Sequence, residues 1–100
     1  MSVLIDFSIF PVGKGESVSP YVAQMLKIIK ESGLSYKLGP MGTSIEGDWH
    51  EVMAVVSLCF EELREDCHRI YLSIKADYRK GVSGRIEGKV RSVEEKLCRV

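Results

Sequence analysis

One hundred residues carrying 14 basic and 14 acidic side chains have a formal net charge of zero, so the electrostatic footprint of nucleic-acid binders and anionic-membrane binders is absent. The length suits one domain, 1–100, with a single core, and no apolar run approaches the roughly 20 residues of a membrane span. Three cysteines without CxxC spacing exclude a disulfide framework and a zinc knuckle; with no basic leader before Ser8, reduced thiols and a cytoplasmic location are expected.

The chain opens on a strand. Val3, Ile5, Phe7 and Ile9 alternate with Leu4, Asp6, Ser8 and Phe10, which gives one strongly apolar face, and Pro11 ends it. Ser19-Pro20 is an N-cap followed by proline at the first helical position, after which Val22, Met25, Leu26 and Ile29 recur at helical spacing until Ser32-Gly33. Residues 34–38 and 43–47 read as two strands joined in a hairpin by Gly39-Pro40-Met41-Gly42, where glycine would supply positive φ. In the returning strand Thr43 and Ile45 share one face, Ser44 and Glu46 the other. Asp48 and Glu51 form a capping box for a helix whose stripe is Val52, Val55, Val56, Cys59 and Leu63, fading near Asp66. His68 to Tyr78 is a fourth strand, and Ile86, Val90, Val93 and Leu97 mark a last helix at about 86–99.

This order is βαββαβ plus a C-terminal helix: an α+β, ferredoxin-like sandwich with an antiparallel four-stranded sheet of order 4-1-3-2. Right-handed crossovers place both long helices on one sheet face. The other face then carries Asp6, Ser8, Phe10, Ser44, Glu46, Tyr71, Ser73, Lys75 and Asp77, a mixture that suits a partner sheet or a small ligand. The last helix is expected beside the two long helices or across a subunit boundary. His50, Cys59, Cys67 and His68 match no metal-ligand spacing, so no metal is expected. Gly13-Lys14-Gly15 lacks the longer spacing of a phosphate loop.

Three segments together resemble the small thiamine-binding protein family: Ser8 to Gly13 (SIFPVG), Tyr36 to Gly47 (YKLGPMGTSIEG) and Lys89 to Glu94 (KVRSVE). The resemblance covers nearly the whole chain, with PMGTxIEG its specific part. It implies a non-enzymatic ferredoxin-like domain that associates through its sheets into dimers or dimers of dimers. The implied ligand is thiamine or its hydroxymethylpyrimidine moiety, with no cofactor required.

Such a ligand offers an aminopyrimidine edge and a cationic thiazolium, which call for a carboxylate, hydroxyls and an apolar or aromatic sandwich. Glu46 is the leading carboxylate; Thr43 and Ser8 supply hydroxyls, Met41 and Phe10 supply surface, and Asp77, like Asp6, is a further carboxylate. The alternative for Glu46 is to cap the helix that follows it or to pair with Lys75 across the sheet. No Ser-His-Asp order or metal set is present and the chain has no Asn, so no catalytic residue is expected. The expected function is a homo-oligomeric carrier, buffer or sensor of thiamine or a pyrimidine precursor. The alternative is an oligomeric regulatory domain whose pocket takes another small effector.

Overall fold

Alternation in the first strand decides the layering. In the computed structural model, which describes residues 2–13, 15, 19–81 and 84–98, β1 (Val3–Pro11) buries Val3, Ile5, Phe7 and Ile9, while Asp6 and Phe10 are exposed. The remaining elements follow as α1 (Ser19–Glu31), β2 (Ser35–Leu38), β3 (Thr43–Gly47), α2 (Trp49–Arg64), β4 (Ile70–Tyr78) and α3 (Arg85–Cys98). The sheet order is β2-β3-β1-β4 with antiparallel neighbours, the expected 4-1-3-2 read from the other edge.

Register carries the two-face pattern across the sheet. Ile45 stands opposite Ile5 and Tyr36, whereas Glu46 stands opposite Leu4 and Ser35, and Asp6 opposite Ser44 and Lys75. Because side chains alternate with period 2, Glu46, Ser44, Asp6, Lys75 and Asp77 share the face away from Ile45. On the apolar face α1 buries Met25 and Ile29, and α2 buries Val52, Val55, Val56, Cys59 and Leu63. One hydrophobic cluster joins these to β1 and Ile45. Among the described residues, no helix is long and apolar enough to cross a membrane.

Local signals explain most boundaries. Helix α1 stops at Gly33, whose φ of 78° is the left-handed conformation that favours glycine after a helix. At α2 the expected capping box is not formed. Asp48 holds the extended N-cap backbone and its carbonyl accepts from Val52 N–H at 2.9 Å, but its carboxylate makes no cap bond. Asp48 and Glu51 both stay exposed, where water satisfies them while their charge still complements the helix dipole.

Helix α3 departs from one expectation: it does not lie beside α1 and α2. It meets β3 from the opposite, polar face, because the acceptors for its first turn are there. Its exposed length stretches the molecule to 47 × 31 × 20 Å with a radius of gyration of 15.0 Å, against about 13 Å for a compact domain of this size.

Two stability measurements follow. Ile45 is fully buried at the centre of the sheet, so Ile45→Ala should cost about 2–5 kcal/mol in equilibrium denaturation. Burial pushes the Cys59 thiol from its ordinary 9.0 up to about 11. A raised folded pKa gives stability that is complete below the unfolded value and is lost as pH rises through the folded one. Denaturation midpoints should therefore fall between pH 9.0 and about 11, with a shallower fall in Cys59→Val.

Candidate functional site

The turn Gly39 to Gly42 builds one wall of a cavity. Gly39 N–H donates to the Gly42 carbonyl at 2.8 Å, closing the hairpin between Leu38 and Thr43. Neither glycine is used for positive φ; each is needed for closeness. A Cβ on Gly42 would sit 2.8 Å from Asp6 Oδ1 and 3.3 Å from the Phe7 carbonyl, and one on Gly39 would sit 2.9 Å from the Gly42 carbonyl. The 2.9 Å approach within the turn is shorter than real Cβ contacts, and at Gly42 the Asp6 carboxylate could swing aside but the Phe7 carbonyl could not, so a side chain at either position would crowd the turn.

Behind this turn lies a cavity of about 350 Å³ between the hairpin, β1 and α1. Phe7, Ile9, Met25 and Ile29 form its buried lining, the half-buried Val22 and Leu26 come from α1, and Leu38, Met41 and Thr43 come from the hairpin. Val22, Met25, Leu26 and Ile29 of the α1 stripe face this space, with Phe7 and Ile9 of β1 and the hairpin turn on its other sides. Thr43 is buried and faces this side with Ile45, while Met41 is 90% exposed at the mouth. Among the described residues, no side chain lining the cavity is ionisable.

Of the six residues singled out from the sequence, Ser8, Phe10, Met41 and Thr43 are brought together here. Ser8 and Phe10 border the cavity from β1, although strand alternation gives their side chains to the polar face. There the Phe10 ring stacks on Tyr71 at 5.5 Å between centroids. Glu46 and Asp77 lie elsewhere, at the base of α3.

Glu46 is buried, and both its carboxylate oxygens accept from the Arg85 backbone N–H, at 2.9 and 3.0 Å. Ser2 Oγ donates to Glu46 Oε2 at 3.0 Å. Thus Glu46 does cap a helix, but the distant α3 and not α2, which follows it in the chain. Asp77 accepts from the Arg85 guanidinium and, at 2.6 Å, from Lys89 Nζ. The hydrogen bond from Lys89, then that from Arg85, holds the Asp77 carboxyl below its ordinary 3.8. A second hollow of about 210 Å³ opens on this face among Leu4, Asp6, Ser44, Lys75, Asp77 and Lys89.

Sequence reasoning placed the α1 residues in the core stripe and missed that Val22 and Leu26 line a space. It also missed Arg85 and Lys89, although their spacing of four puts both on one helix face. Among the described residues no group of three or more His, Cys, Asp or Glu side chains is placed to hold a metal ion.

Comparison with known proteins bears on this geometry. The sequence model of a family described as thiamine-binding protein matches residues 5–94. A UPF0045 protein of Mycobacterium tuberculosis is 42% identical over 100 residues, covering 99% of this chain and 98% of its own. A hypothetical protein from Methanocaldococcus jannaschii, solved by crystallography, superposes with a TM-score of 0.86 at 34% identity, covering 94% and 97% of the two chains. A Thermotoga maritima structure, provisionally assigned to thiamine biosynthesis or salvage, gives a TM-score of 0.82 at 25% identity over 93% and 99%.

The clasp at the base of α3 has a defined pH response. Asp77 has a depressed folded pKa, so its contribution is present above 3.8 and is lost as pH falls below that value. Amide protection factors across 86–97, taken relative to the intrinsic exchange rate at each pH, should fall on acidification through that range. Asp77→Asn should remove the dependence, and Glu46→Ala should speed exchange at neutral pH by exposing an unpaired helix N-terminus.

Proposed function

The chain belongs to the thiamine-binding protein family, and within that family we propose that it is a non-enzymatic binding protein for thiamine or its hydroxymethylpyrimidine moiety. The observation that carries this reading is the cavity of about 350 Å³ walled by the family-like turn Pro40 to Thr43. Its size falls in the range of about 300–1,000 Å³ typical of small-molecule sites. Its apolar lining with a single inward hydroxyl, that of Thr43, suits the flat, neutral aminopyrimidine.

Burying the cationic thiazolium in a lining without a carboxylate would be costly, so the pyrimidine enters and the cation stays at the mouth beside Met41. The lining also supports binding over turnover. Among the described residues it holds no His, Cys, Asp, Glu or Lys side chain that could serve as a base or nucleophile beside Ser8 or Thr43. Glu46 and Asp77 then act on the site through the fold, by fixing α3, and do not touch the ring. A carrier, buffer or sensor working in the cytoplasm needs no more than this.

Self-association is part of the proposal. The face bearing Phe10 and Tyr71, 36% and 57% exposed, suits a second copy in a dimer or a dimer of dimers. The same exposed surfaces favour the second reading, an oligomeric regulatory domain with a different effector in the cavity.

Isothermal titration with thiamine and with hydroxymethylpyrimidine separates the two. Saturable binding in the micromolar range, about −8 kcal/mol, is expected for at least one of them. At one hundred times the dissociation constant the protein should gain about 2.7 kcal/mol of stability, visible as a thermal shift. Thr43→Val should weaken binding roughly two- to tenfold through one lost hydrogen bond. Leu26→Trp should fill the cavity and abolish binding while the far-ultraviolet spectrum stays native. Absence of heat and thermal shift with both compounds would overturn the thiamine reading.

A further inference from the structure

The exposed stripe of α3 is written as a coiled-coil seam. Ile86, Val90, Val93 and Leu97 are spaced four, three and four residues apart, which is the d-a-d-a pattern of two heptads and narrower than the stripe of a helix that packs on a sheet. The structure agrees that the sheet does not cover it. Ile86 is half-buried at the base, and exposure then rises to 43% at Val90, 58% at Val93 and 68% at Leu97 as the helix leaves the body.

The flanking charges choose the occupant. With this seam the g positions are Lys89 and Lys96, and the e positions are Glu87 and Glu94. In a parallel homodimer each g residue faces the e residue five positions on in the other helix. Lys89 therefore meets Glu94 of the partner subunit, and two-fold symmetry makes the pair twice. In the antiparallel register that stacks Val90 on Val93, the same rule sets Lys89 against Lys96 and Glu87 against Glu94, four like-charge contacts. All four charged side chains belong to exposed residues; Lys89 also bonds Asp77, and Glu87 lies 4.0 Å from Arg91 of its own helix.

We infer that α3 pairs in parallel with α3 of a second copy of this chain through the Ile86, Val90, Val93 and Leu97 seam. The inference rests on the self-association proposed above and names its geometry. Two heptads are too short to hold a dimer alone, so the helix pair adds to the contact between bodies and sets their orientation. Lys89 keeps its bond to Asp77, since an ammonium has three donors. The clasp at the base thus aims the seam.

Disulfide trapping of the full chain tests this, in a Cys98→Ser background so that only the introduced thiol of α3 is available; Cys59 and Cys67 are buried. A parallel pair sets Val93 beside its own copy, so Val93→Cys should cross-link into a dimer quickly under mild oxidation. Ser92→Cys, one residue off the seam, should cross-link far more slowly. Glu94→Lys should raise the dissociation constant of the oligomer roughly tenfold at low salt and less at high salt. Sedimentation of the unmodified protein distinguishes the two levels of failure. A dimer or tetramer in which Val93→Cys does not cross-link, or cross-links only when mixed with Val90→Cys, overturns the parallel helix pair and leaves self-association standing. A monomer at micromolar concentration overturns both.

Discussion

A buried carboxylate must be satisfied, and in this fold that requirement sets the position of a whole helix. Glu46 lies on the polar side of β3, shielded from water, where an unpaired charge would be strongly unfavourable. The Arg85 N–H, bonded to both its oxygens, and the Ser2 hydroxyl meet the requirement. The first of these is the start of α3, so the positive end of the helix dipole falls on the negative charge. Asp77 completes the attachment from β4 through Arg85 and Lys89. Two acidic residues from two strands thus hold the last helix on the face opposite α1 and α2.

That arrangement divides the polar residues of the chain into two groups with different work. On one face the charged residues of β1, β3 and β4 anchor α3 and surround a shallow polar hollow. On the other, a nearly apolar cavity is left between α1, β1 and the hairpin turn. The hairpin turn connects the two sides, because Gly42 is pressed against both the Asp6 carboxylate and the Phe7 carbonyl. The proposed pyrimidine site and the proposed self-association surface are therefore built on opposite sides of one sheet. Phe10, which borders the cavity and stacks on Tyr71, is common to both.

Much of the fold was readable from the residues. The alternation of Val3, Ile5, Phe7 and Ile9, the glycine stop at Gly33 and the period of Val52 to Leu63 are local signals, and each gave the observed element with boundaries within two residues for the strands and helices named. The sheet order followed from the element order and the handedness of the crossovers. The site was only partly readable. Met41 and Thr43 were found from the turn, but Glu46 was drawn to the ligand by its place in the same segment, although its partner lies 39 positions away at Arg85.

The sequence by itself determined the elements, their order and the two faces of the sheet, because hydrophobic period and turn chemistry act between residues close along the chain. It also determined the charge pattern beside the α3 seam. Tertiary structure alone decided where α3 attaches, which carboxylates are spent on holding it, and where the cavity opens. Those outcomes depend on which distant groups meet once strands pair and helices pack, and on the need to satisfy a charge that folding has buried.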